Sequence, residues 1–170
     1  MMDLRKELSG RQSRDRRDKI VNWIGKNDLR FNSLMKLFLE GEYRLTQHAA
    51  WPVSYCIHQH PEFAKRYMGK FIKLLEDSKS HPAVRRNIIR LLQFTEIPKK
   101  FQGQLMDLCF QFIQSSVEAI AVKAFALHIL ENMSETYPEI LPELKAIIHS
   151  KWDSESPAFR SRAKKILKKK

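Results

Sequence analysis

Cysteine, glycine and proline are scarce in this chain: two, five and seven among 170 residues. Two cysteines with no partners at metal-site spacing argue against a disulfide framework or a zinc-stapled scaffold. Cys56 and Cys109 each sit inside an apolar run, where a thiol serves as a small hydrophobe in a reducing compartment. So few glycines and prolines exclude a low-complexity chain and a small all-β fold that must turn every few residues. No apolar run approaches the ~18 residues needed to cross a bilayer. The opening Met1-Met2-Asp3-Leu4-Arg5-Lys6-Glu7 lacks the apolar stretch of a secretory leader. A cytoplasmic protein is expected. Glycine-rich phosphate loops, nucleophile elbows and zinc-protease motifs are missing as well.

What the chain has is apolar content, 43% of residues, enough for a core in one domain. Apolar residues recur at spacings of three and four and never alternate over a useful length, so the class is all-α. One block also recurs. Ala83-Val84-Arg85 through Leu91-Leu92 aligns with Ala121-Val122-Lys123 through Ile129-Leu130, and again with Ala158-Phe159-Arg160 through Ile166-Leu167, at offsets of 38 and 37. A fixed period of this size means stacked supersecondary units, none of which buries its apolar face alone.

The helices follow from this frame. One starts after the N-cap Ser13, runs through Ile20, Val21 and Ile24, and stops at Gly25. The next is capped by Asp28, buries Phe31, Leu34, Met35, Phe38 and Leu39, and ends at Gly41. A second pair begins near Glu42. Its first helix carries the stripe Leu45, Ala49, Val53, Cys56, Ile57 and holds Pro52 in its interior, which predicts a kink near His48 or Ala49. Its partner follows His60-Pro61 with Phe63, Tyr67, Phe71, Leu74 and Leu75 on one face. A third pair spans 82–94 and 101–113, and a fourth spans 117–136 and 140–149. Residues 119–130 are apolar nearly all round, as for an inner helix. A final charged helix at 157–168 caps the array.

These repeat starts, together with the small-residue centre His48-Ala49-Ala50-Trp51, resemble the HEAT/armadillo-type α-solenoids over about residues 13–168. The resemblance implies a right-handed α-α superhelix of about four helix pairs plus a C-terminal capping helix. The whole of 1–170 would then be one repeat domain, with 1–12 a basic extension and 168–170 a basic tail. It also implies an interaction scaffold rather than an enzyme, with the second helix of each pair lining a concave wall.

The net charge of +12 is unevenly placed: residues 1–30 carry 9 Lys/Arg against 5 Asp/Glu, and residues 151–170 carry 8 against 2. Arg11, Arg14, Arg16 and Arg17 at one end, and Arg160, Arg162, Lys164 and Lys165 at the other, can neutralise phosphates and give salt-dependent nucleic-acid binding. Equally, they can serve as solvated caps. A further patch, Lys65, Arg66, Lys70 and Lys73, lies opposite the Phe63–Tyr67–Phe71 face and would look into the concave wall. The equivalent helices downstream offer Gln102, Gln104 and Asp107, then Glu139 and Glu143, so a continuous phosphate track is not formed.

A surface running from basic to acidic suits a protein or peptide partner, and Lys65, Arg66, Lys70 and Lys73, with Trp51, are the expected contacts. Alkylpurine DNA glycosylases also occur on HEAT-like repeats, with a carboxylate and aromatics in a basic cleft. Here Trp23, Trp51 and Trp152 fall in three different units and no aspartate accompanies two of them, so no catalytic residue is carried over. His58-Gln59-His60 are two apart and do not share a helix face, so no metal site is read there. No cofactor is expected.

Overall fold

The computed structural model describes residues 2–40 and 42–170. Among them the regular elements are ten α-helices and one 3-10 turn. In chain order the helices are α1 (Leu4–Ser9), α2 (Arg14–Ile24), α3 (Asp28–Glu40), α4 (Tyr43–Gln59), α5 (Glu62–Glu76), α6 (Pro82–Leu92), α7 (Lys99–Gln114), α8 (Ile120–Met133), α9 (Leu141–Lys151) and α10 (Pro157–Leu167). The chain divides into two compact units, Met1–Glu96 and Ile97–Lys170. The expected third pair is thereby split, with α6 in the first unit and α7 in the second.

In the first unit the start and stop signals act as read. The Ser13 hydroxyl accepts the Arg16 N–H at 3.2 Å and opens α2. Gly25 closes it at φ 49°, in the left-handed region that disfavours any residue with a Cβ. The cap of α3 differs by one residue: Asn27 Oδ1, not Asp28, accepts the Arg30 N–H at 3.0 Å. Asp28 is thereby left for an ion pair with Arg66. The stop expected at Gly41 lies outside the described residues. Successive second helices meet through rings. Phe31 of α3 and Phe63 of α5 stack at 4.1 Å, and the Tyr67 hydroxyl donates to Asn32 Oδ1 at 2.7 Å. Tyr67 and Leu74 are half-buried rather than buried.

Helix α4 packs against each of the other five helices of this unit. Its buried stripe is Leu45, Thr46, Ala49, Pro52, Val53, Cys56 and Ile57. The helix runs unbroken through Pro52, which has no N–H for the carbonyl one turn back, that of His48. That carbonyl instead accepts from Gln12 Nε2 at 3.1 Å. Beside it, His48 Nδ1 donates to the Leu8 carbonyl at 2.6 Å, which fixes the tautomer. Residues 4–12 of the basic extension pack into the first unit. Leu4 and Leu8 of α1 are buried, and α1 packs on α2, α3 and α4. The segment supplies the hydrogen bond that the proline removes.

In the second unit α8 packs against both α7 and α10, which explains its almost wholly apolar sequence. It starts later than the pattern predicts, because Ser115 Oγ accepts the N–H groups of Val117 and Glu118 and turns the chain before the helix begins. A 3-10 turn at Pro138–Ile140 likewise delays α9. The repeat register appears as burial. Val84, Ile88 and Leu91, then Val122, Ala126 and Ile129, then Phe159, Ala163 and Ile166 are all buried. The cation at the third place of the block is tied down in two of the three copies. Arg85 Nη2 donates to the Asp77 carbonyl at 3.1 Å, and Lys123 forms a buried pair with Glu155 at 2.6 Å.

A double-mutant cycle tests the proline repair. Gln12→Ala is expected to cost about 1 kcal/mol in chemical denaturation, the usual loss for one such bond. In a Pro52→Ala background, where a backbone N–H returns, the loss should shrink by more than half. Equal losses in the two backgrounds would contradict the assignment.

Candidate interaction surface

The cations expected to form the contact are largely engaged. Lys65 pairs with Glu96 at 3.7 Å, Arg66 with Asp28 at 2.7 Å and Lys70 with Glu40 at 2.6 Å. The hydrogen bond from Lys70 holds the Glu40 carboxyl below its usual range, and the bond to Asp28 raises Arg66 further. These pairs lace α5 to α3 and to the end of the α6 segment, leaving that face close to neutral. Lys73 is exposed and has no ion pair among the described residues.

Trp51 is not part of that patch. It lies among α2, α4 and α6, beside Arg17, which the sequence placed among the basic ends, and beside Tyr55, Asn87, Arg90 and Phe94, which it did not single out. The Arg17 guanidinium stacks over the Trp51 ring at 4.7 Å and over the Tyr55 ring at 3.9 Å, and the two rings meet edge to face at 6.5 Å. Beside Trp51 a cavity of about 160 Å³ opens between α4 and α6, lined among others by His58, Asn87, Arg90 and Phe94. Phe94 is 80% exposed and Tyr55 39% exposed, and both border a hollow that adjoins this cavity. No Asp or Glu lines this cavity or the two shallower hollows that continue it past Gln47 and Tyr55. Arg90 is exposed and has no ion pair among the described residues. Asn87 is 3% exposed, and its amide nitrogen has no hydrogen-bond partner among the described residues. The amide nitrogen of Gln47 is also buried and unpartnered.

A signal for this surface does exist in the sequence. Tyr55 stands one turn beyond Trp51 and off the Ala49–Val53–Cys56 stripe. Asn87 interrupts the apolar inner face of its repeat block.

The basic ends separate in the same way. Arg17 is stacked as above and paired with Asp18 at 2.7 Å, Arg16 lies 3.7 Å from Glu7, and Arg162 lies 3.5 Å from Glu131. Arg11, Arg14, Lys164 and Lys165 are exposed, and Arg160 is half-buried. Among the described residues no group of three or more His, Cys, Asp or Glu could hold a metal ion. His58 faces the cavity, while His60 lies 3.6 Å from Glu62. Burial, with help from Arg162, lowers the pKa of His128. No described helix is long and apolar enough to cross a membrane.

Helical hairpins sharing one burial register define a helical repeat protein. The profile of the HEAT repeat domain matches residues 4–170, and the chain belongs to that family. HEAT repeats are generally protein-interaction scaffolds and typically not enzymes. Comparison with curated proteins and with solved structures finds no match.

The thiols give a direct check on chemistry. Burial pushes Cys56 up to about 12 and Cys109 higher still, and both are free. An aromatic disulfide reagent at about pH 8, where an open thiol reacts readily, should titrate neither in the native protein and both after unfolding. Rapid native labelling of either would show a reactive thiol.

Proposed function

We propose that the chain is a non-enzymatic, cytoplasmic interaction module that presents a helical surface to a protein or peptide partner, with the α2–α4–α6 face around Trp51 as its contact. One observation carries this reading. That face joins exposed aromatics, an unpaired arginine and an absence of carboxylates, whereas the cations of α5 are mostly held by carboxylates of the same unit. Aromatic and arginine side chains dominate the energetics of protein contacts. Charge of one sign on the rim steers encounter, and the rings then exclude water. A nucleic-acid role for the basic ends is less well supported, because Arg16, Arg17 and Arg162 already have intramolecular partners.

Photo-cross-linking in cells of the source organism tests the reading. With p-benzoylphenylalanine replacing Tyr55, the expected result is discrete adducts that protease removes and nuclease does not. The same group replacing Gln104 on α7 should give none. Adducts removed by nuclease, or equal adducts at both positions, would refute it.

A further inference from the structure

We propose that the cavity between α4 and α6 binds a carboxylate of an acidic peptide, with a neighbouring aromatic side chain of that peptide held against Trp51 and Phe94. This rests on the interaction reading above and names the partner's chemistry. The first ground is the unpartnered donor. Asn87 is almost fully buried, lines the cavity, and its amide nitrogen bonds to nothing among the described residues. A buried donor without an acceptor is a standing penalty on the fold, and a ligand oxygen in the cavity would remove it. Gln47, with a second buried unpartnered nitrogen, lines the adjoining hollow.

The second ground is the charge. Arg90 lines both the cavity and that hollow, carries five donors of its own and meets no carboxylate there. Donors without acceptors, beside an unneutralised guanidinium, select an acceptor-rich anion, and a carboxylate matches the arginine fork in both shape and charge. The third ground is the aromatic wall. Arg17 already covers one part of the Trp51–Tyr55 pair, so the uncovered faces are those toward His58 and Phe94. A planar or apolar group next to the carboxylate fits there. A strand of nucleic acid would ask for cations at every phosphate along its path. This face offers Arg90, with Arg17 already stacked, which favours the peptide.

Fluorescence anisotropy of the full chain at ~100 mM salt, where long-range attraction is largely screened, tests this. The probes are a fluorescein-labelled glutamate–tyrosine copolymer, polyglutamate and a thymidine 20-mer. The copolymer should bind at least tenfold more tightly than polyglutamate. Arg90→Glu and Asn87→Leu should each weaken it about tenfold or more, the scale of a hot-spot loss. The charge-matched control Lys26→Glu, at an exposed site off this face, should leave it within about twofold.

Asn87→Leu should also raise the melting temperature by about 2–4 °C, because the orphan donor is gone. Lost binding in a more stable protein separates a ligand site from a damaged fold. Equal weakening by Lys26→Glu and Arg90→Glu, or equal affinity for polyglutamate, would reduce the effect to bulk charge and overturn the proposal. Tighter binding of the thymidine 20-mer with the same Arg90 and Asn87 dependence would overturn it in favour of nucleic acid. If the copolymer fails while protease-sensitive adducts persist at position 55, this inference falls alone. If the adducts are absent, the reading beneath it falls.

Discussion

Helix α4 touches every other helix of its unit, and it does so with a proline near its middle. A proline there removes one backbone bond and crowds the preceding turn, a defect of about 3 kcal/mol in an isolated helix. The protein keeps α4 continuous because the surrounding elements answer the defect. Gln12 supplies the missing donor, His48 bonds back to the Leu8 carbonyl, and α1 closes over the joint with Leu4 and Leu8. The most connected helix and residues 4–12 are thus one structural problem with one solution.

The same helix carries Trp51, Tyr55 and His58 on its outward side. Its inward stripe is locked by α2, α3 and α6, so these side chains project from a rigid base instead of a loop. Preorganised rings give contact area at low entropic cost. Arg17 of α2 stacks on two of the rings, and α6 brings Asn87 and Arg90 to the opposite side of the cavity. Stacking of neighbouring repeats therefore builds both the core and the surface. In a repeat protein the two cannot be assigned to separate parts of the chain.

Much of the fold was legible from residue spacing. The 38- and 37-residue offsets locate the buried triplets from Val84 to Ile166, and Ser13 and Gly25 bound α2 as their chemistry requires. Long-range chemistry is what spacing does not carry. A run such as Lys65, Arg66, Lys70 reads as an open basic patch until Asp28, Glu40 and Glu96 are folded against it. Residues 1–12 read as a basic extension, although Leu4 and Leu8 within them are core. Asn87 read as part of a repeat motif, because nothing local says that its amide nitrogen would lack a partner. Of this surface, spacing picks out Trp51 and, in another role, Arg17, but not their meeting with Asn87 and Arg90, because α2, α4 and α6 bring together residues more than thirty positions apart.

The first unit depends on α4 being its rigid centre. Native-state hydrogen–deuterium exchange resolved by residue measures this directly. The amides of residues 49–51 and 53–57 should be among the slowest in the first unit, opening only with global unfolding, while those of α1 and the ends of α6 exchange earlier. Exchange of the α4 amides as fast as those of α1, with α3 or α5 the slowest instead, would contradict it.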